Sequence, residues 1–269
     1  MIVKNIHDEV SRCIIKLLMK EPFFAHLLSG VVRTTSTKIQ TAAVGIKNNK
    51  ITLFINVDFF LKDLKTISNR VAVIKHETLH LMFKHLFRMD IHKHDLELFN
   101  YAADLVVNQF IGNWDLPKNA VTLMTFPDLS LKPDQTLDWY YQKLLNLKNE
   151  IKETPNLDNI SAPHSGRALD KLGSLTSHSN HSLWGETLDK NQSNNNIHSK
   201  SIESELDRMI VQAKDRTPEK NRGSIPGKIS DMIDEIIKKR KPKVDWRRAL
   251  RLFSTSSRRT KIAHTMKRV

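Results

Sequence analysis

An α+β fold, mainly helical, with a small β-hairpin ahead of its principal helix, is predicted by three features of this 269-residue sequence. Apolar residues recur at helical spacing through several stretches of the first 150 positions. Two short β-rich stretches meet at a pair of asparagines, and the composition turns abruptly polar at about residue 150.

Residues 7–29 read as helical, with Val10, Ile14, Leu17 and Leu18 on one stripe and Pro22 interrupting. Lys38 to Ile46 and Lys50 to Val57 read as two strands joined at Lys47-Asn48-Asn49, because asparagine tolerates the positive φ of a tight hairpin. Leu61 to Lys65 leads into Ser68 or Asn69, either a suitable N-cap for the helix that follows. That helix is apolar over most of its circumference, through Val71, Val73, Ile74, Leu79, Leu81, Met82, Phe83, Leu86 and Phe87, and is expected to be buried. The polar run Asp90 to Asp95 is long enough to reverse the chain into a second buried helix, Phe99 to Phe110. Trp114-Asp115-Leu116-Pro117 ends the regular pattern, and Pro127 to Pro133 is loop. Thr136 to Leu147 forms an amphipathic helix whose Tyr140 and Tyr141 read first as core and second as hydrogen-bond donors to a reacting group. Ser204 to Lys214 and Lys228 to Lys239 are helical again, separated by a turn at Gly223 to Gly227. There are no internal repeats.

The principal helix carries the chemistry. His-Glu-Thr-Leu-His at His76 to His80 is an HExxH motif. Residues four apart on a helix lie about 40° apart around its axis, so the two imidazoles project side by side and can grip one zinc ion. Glu77 sits where it can reach a water on that ion without binding the ion itself, the general-base position of a zinc hydrolase. With 12 histidines in the chain, an accidental HExxH is the alternative. A buried helix argues against it, because an unsatisfied buried polar group costs about 1–3 kcal/mol.

A zinc that works on a substrate takes three protein ligands and keeps one position for water. Two residues compete for the third place. His85 lies about 140° further round than His80 on a continuing helix, so it faces away unless the backbone breaks, and no Gly or Pro lies between Leu81 and Met89. Asp104 sits on the second buried helix beside Ala102 and Ala103, which suit close helix packing, with Asn108 one turn on placed to orient the carboxylate by a hydrogen bond. Asp104 is favoured, with His85 the alternative ligand or otherwise a packing histidine. Asp104 as a locally paired buried acid is the plain alternative.

These residues carry a resemblance. Ile-Asn-Val-Asp-Phe-Phe (Ile55 to Phe60), then the HExxH with His85 and Arg88, then Ala-Ala-Asp-Leu-Val-Val-Asn, is similar to the metallopeptidase domain of bacterial and phage proteins that carry a von Willebrand factor A-like (VWA) domain behind it. Arg222 to Gly227 and Val244 to Arg251 resemble later blocks of the same family, so the likeness covers about residues 1–145 and 200–269. It implies a zincin-like fold, Zn2+ held through the HExxH histidines, and the company of MoxR-type AAA+ ATPases and VWA-domain proteins. In zincin-like folds the strand before the active helix can be a sheet edge that pairs with an extended substrate, which would make Thr52 to Asn56 a docking edge for a peptide or protein. Members of the family also show a His and a Trp near His178, His181 and Trp184, so His181 is a candidate transition-state donor, or else a surface histidine. The VWA-like domain and its Asp-x-Ser-x-Ser motif are missing. The sequence stops near where that domain would begin, as either a stand-alone version or the front part of something longer.

The organisation expected is therefore a zincin-like metallopeptidase domain over 1–149, a polar flexible insert or linker over 150–201, and a helical, strongly basic segment over 202–269 that packs on the first domain. Twelve units of the net +14 lie between Lys238 and Val269, where thirteen Lys and Arg face the single acid Asp245. Such a tail, with Trp246 and Phe253, suits nucleic-acid phosphates, acidic lipid or an acidic protein. The alternative is a basic helix docked on the domain through Val244, Trp246, Leu250 and Phe253. The single cysteine, Cys13, lies among apolar residues, excludes an internal disulfide framework and fits a reducing cytoplasm. No secretory signal and no stretch of about 18 apolar residues appears, so neither export nor a membrane span is expected. A metal-bound scaffold without turnover, in an ATPase-linked assembly, and nucleic-acid binding through residues 238–269 stand as the rival functional readings.

Overall fold

The structure, a computed structural model, describes residues 2–90, 93–153, 195–240, 246–248 and 250–255. It is an α+β fold, mainly helical, with one small sheet. Helices α1 (Ile2–Lys20) and α2 (Pro22–Leu28) precede strands β1 (Val32–Thr35), β2 (Ala42–Lys47) and β3 (Lys50–Ile55). A single π-helical turn, Phe59–Asp63, leads into α3 (Ile67–Met82), which carries HExxH, then α4 (His85–Arg88), α5 (Leu96–Val107) and α6 (Leu137–Glu153). Beyond the polar stretch come α7 (Asn195–Arg216) and α8 (Gly227–Arg240).

The hairpin between β2 and β3 closes at Asn48 and Asn49, with φ of 51° and 58°, the left-handed pair a two-residue turn requires. The strand order is β1-β3-β2, with β1 parallel and β2 antiparallel to β3. Strand β1 was not foreseen: Val-Arg-Thr-Thr is short and mostly exposed, so it shows no alternation of apolar and polar faces. Its presence overturns the expected docking edge. Thr52 to Ile55 lie on the central strand, paired on both sides, and Asn56 donates its N–H to the Thr41 carbonyl. That bond sets the register phase, so Ala42, Val44 and Ile46 turn their backbone groups away from β3. The outer edge nearest α3 is β2.

Helix α3 is buried almost continuously from Val71 to Met82, its apolar girdle enclosed by α1, α2, α5 and β2. Its N-cap is Thr66, not Ser68 or Asn69. Asn69 N–H donates to Thr66 Oγ1 at 3.0 Å while Asn69 Oδ1 accepts from Thr66 N–H, a reciprocal box that outcompetes the later positions. Ser68 is used elsewhere, accepting from Asp115 N–H at 3.0 Å. On the face opposite the sheet, buried Lys75 donates to Glu21 and to the Ile111 carbonyl at 3.0 Å, and Glu21 also accepts from Trp114 Nε1 at 2.6 Å. Burial lowers the Lys75 pKa although Glu21 opposes the shift. This network fixes α3 against the α1–α2 corner and the segment after α5.

The C-terminal helices join the same core. Leu206, Ile210 and Ala213 of α7 and Ile229, Ile233 and Ile236 of α8 are buried, and a Cβ at Gly30 would come within 2.7 Å of Met209 Cε, so α7 lies directly on the α2–β1 connection. Helix reaches further into the polar stretch than composition suggests, since α6 runs to Glu153 and α7 begins at Asn195. Farther on, Trp246, Leu250 and Phe253 are 61%, 57% and 71% exposed, so none of the three is seated on the domain. Val244 lies outside the described residues.

Candidate metal centre

One turn of α3 places His76 and His80 with ring centroids 4.5 Å apart and Nε2 atoms 2.9 Å apart. Helix α5 brings Asp104 to them, its Oδ1 3.2 Å from His80 Nε2 and 3.4 Å from His76 Nε2. One potential ligand atom from each of the three residues lies within 4.8 Å of the others. His80 and Asp104 are buried, and His76 opens onto a cavity.

The other ring nitrogen of each histidine is engaged. Asn108 Nδ2 donates to the Val121 carbonyl at 2.7 Å, which turns its Oδ1 toward His76 Nδ1, also at 2.7 Å. An amide oxygen can only accept, so His76 Nδ1 carries a hydrogen and Nε2 is the nitrogen that becomes a donor of electrons once the ring gives up its second proton. His80 Nδ1 lies 2.9 Å from His85 Nδ1, one ring donating to the other. His85 is buried and stacks on Phe83 at 5.6 Å. The backbone breaks where no Gly or Pro marks it: Lys84 adopts φ 57°, ψ 31°, ending α3 and swinging His85 back beneath His80. Lys84 is held in that conformation by ion pairs to Glu203 at 2.8 Å and Asp207 at 2.7 Å on α7.

Glu77 faces the sheet edge. Its Oε2 accepts from Val44 N–H at 2.9 Å, and it lines the same cavity as His76, Asp104 and Asn108. Around His76, burial disfavours the charged ring, but the Asp104 carboxylate, helped by Glu77 and Asn108, outweighs it and holds the pKa up at about 9. Two carboxylates thus flank a place that attracts a cation.

Neither tyrosine of α6 belongs to this site. Tyr140 Oη donates to the Lys132 carbonyl at 2.7 Å, and Tyr141 Oη accepts from Asp95 N–H at 2.9 Å. Cys13 is buried, and its thiol is pushed up to about 12 by burial and by Glu9. His178, His181 and Trp184 lie outside the described residues. The Val44 amide, the Val121 carbonyl and the Lys84 break were not anticipated; backbone groups brought in by the fold leave no trace in residue spacing.

Two imidazole nitrogens and a carboxylate oxygen converging in this way are a donor set suited to a divalent transition metal, which defines the class as an α+β protein with a helix-borne candidate metal site. The chain belongs to the family described as "Putative metallopeptidase domain", whose model matches residues 6–268. The match runs through the polar stretch that the sequence resemblance leaves uncovered. Comparison with curated proteins and with solved structures finds no match. Among the described residues, no helix is long and apolar enough to cross a membrane.

Proposed function

We propose that the chain is a zinc-dependent peptidase of zincin-like architecture, with His76, His80 and Asp104 as metal ligands and Glu77 as general base. The observation that carries this reading is the convergence of His76 Nε2, His80 Nε2 and Asp104 Oδ1 beside a second carboxylate at the mouth of a cavity. Family membership supplies the reaction class, since a metal-dependent peptidase acts on a peptide or protein. The donor chemistry fits the ion, because imidazole nitrogen and carboxylate oxygen are the ligands zinc accepts in hydrolytic sites. When bound, zinc supplies Lewis acidity, polarising a peptide carbonyl and lowering the pKa of a water toward about 7.

The protein's own groups do the rest. Asn108 holds the His76 ring in the tautomer that presents Nε2, and His85 does the same for His80 through Nδ1. Val44 N–H orients the Glu77 carboxylate, which takes the proton of the attacking water and hands it to the leaving amine. His85 then acts as a support for His80 and Asp104 as the third ligand. A reducing cytoplasm suits the buried, lone Cys13.

Glu77→Gln is expected to retain one zinc and lose peptide hydrolysis, by about a hundredfold or more. His76→Ala and Asp104→Ala should lose the metal, whereas His85→Ala should keep it with an affinity lowered about 10–100-fold. Elemental analysis and cleavage of a peptide library, run on the same preparations, test both assignments. Full zinc content in Asp104→Ala, or turnover in Glu77→Gln, would overturn them.

A further inference from the structure

The cavity beside the candidate metal centre has a volume of about 810 Å³. A water's share of liquid volume is about 30 Å³, so the space is far larger than a hydrolytic water requires. Its charged groups are not spread evenly. His76, Glu77, Asp104 and Asn108 stand together at one place, whereas the charged residues Asp63, Lys65 and Lys118 are all exposed and form the rim. The rest of the wall carries no charge: Phe59, Leu64, Val73, Leu116, Pro117 and Val121 are apolar, and Thr66, Asn69 and Asn119 add uncharged polar groups.

Three of those side chains, Leu64, Val73 and Val121, are buried, and Val73 lies one helical turn before Glu77, on the same face of α3. The elements that build the wall are also those that build the site. The π-helical turn supplies Phe59, α3 supplies Val73, and Val121 orients Asn108 through its carbonyl. On the opposite margin the cavity meets Thr41 and Ala42 at the start of β2, the strand whose outward amide at Val44 binds Glu77.

We infer that this wall is a side-chain pocket that selects a bulky apolar residue, aromatic or branched aliphatic, next to the peptide bond presented to Glu77. The inference rests on the peptidase reading and names its substrate class. A charged side chain placed there would lose its hydration against Leu64, Val73 and Val121 with no counter-charge inside the wall, whereas an apolar one releases water from both surfaces. The rim residues stay outside that exchange. The pocket therefore discriminates by desolvation.

Binding can be read without turnover by using the zinc-loaded Glu77→Gln protein. A panel of peptides identical except at one position, occupied by Phe, Leu, Ala, Lys or Glu, is titrated by calorimetry. Phe and Leu peptides should bind at least about tenfold more tightly than Ala, Lys or Glu peptides. Leu116→Glu, at a half-buried loop position away from the ligands and the base, should reverse the preference toward Lys while leaving zinc content unchanged. Phe59→Ala provides a second variant and should weaken the Phe peptide most. Equal affinities across the panel, tightest binding of a charged residue, or no binding at all would overturn the pocket assignment. The hydrolase reading fails separately: wild type that leaves intact the peptides bound by Glu77→Gln removes catalysis and keeps the pocket, and wild type that cuts without regard to apolar residues does the reverse.

Discussion

His76 is a residue whose charge state reports on its purpose. Its pKa of about 9, against an ordinary 6.5, means that the metal-free protein keeps a proton where a divalent ion is proposed to sit. Folded pKa above unfolded pKa gives stability that is complete below about 6.5 and is lost as pH rises through about 9. The metal-free protein should therefore show a falling Tm across that window. Metal must displace the same proton, so apparent zinc affinity should rise about tenfold per pH unit up to about pH 9 and then level off. Calorimetry at about pH 7.5 in two buffers of different ionisation enthalpy should count about one proton released per zinc. Identical enthalpies in the two buffers would mean that His76 is already neutral. At this scale the helical spacing of His76, Glu77 and His80 was legible because 3.6 residues per turn is a property of the chain itself. Asp104 was legible as the carboxylate within the apolar run Tyr101 to Val107. The partners that aim these groups were not, since the Val44 amide and the Val121 carbonyl could belong to any residue.

Among the elements, the break after α3 is the least expected and the most informative. A left-handed Lys84 is costly for a residue with a Cβ, and Glu203 and Asp207 on α7 clasp its ammonium where the strain is located. Replacing Lys84 separates the two effects. Lys84→Ala and Lys84→Gly both lose the ion pairs, but only the alanine keeps a Cβ at positive φ, so Lys84→Gly should be the more stable of the two by about 1 kcal/mol in urea denaturation. Lys84→Ala at least as stable as Lys84→Gly would remove the strain argument. The expectation that α3 continues past His80 failed because it looked for Gly or Pro, and the signal lay instead in acids far along the chain, the nearer of them 119 residues away. The N-cap shifted to Thr66 for a related reason: Thr66 and Asn69 satisfy each other, and Asn69 alone does not. The hairpin was readable from Asn48 and Asn49, which accept positive φ by themselves. Strand β1 was not, because a short exposed strand is defined by its neighbour β3 and carries no pattern of its own.

Over the described residues, the N-terminal helices and the later helices α7 and α8 share one core. Helix α7 lies against α2 and reaches the end of α3 through Lys84, so the segment after the polar stretch supports the turn that carries His85. The buried residues of α7 and α8 are the apolar positions of their stripes, and the family model spans residues 6–268. A consequence is that metal site and C-terminal helices should unfold together. Leu206 is fully buried and distant in sequence from every proposed ligand, so Leu206→Ala tests the coupling without touching the site. It should cost about 2–5 kcal/mol, the range for truncating a buried leucine. Loss of helical circular dichroism and release of zinc to a chromogenic chelator should follow one transition, shifted to lower denaturant by the same amount. Zinc at about a hundredfold excess over its dissociation constant should offset about 2.7 kcal/mol of that loss, because it binds the folded chain. Zinc released well after the helical signal has gone would show the N-terminal part holding its metal alone, and the coupling through Lys84 would then be absent.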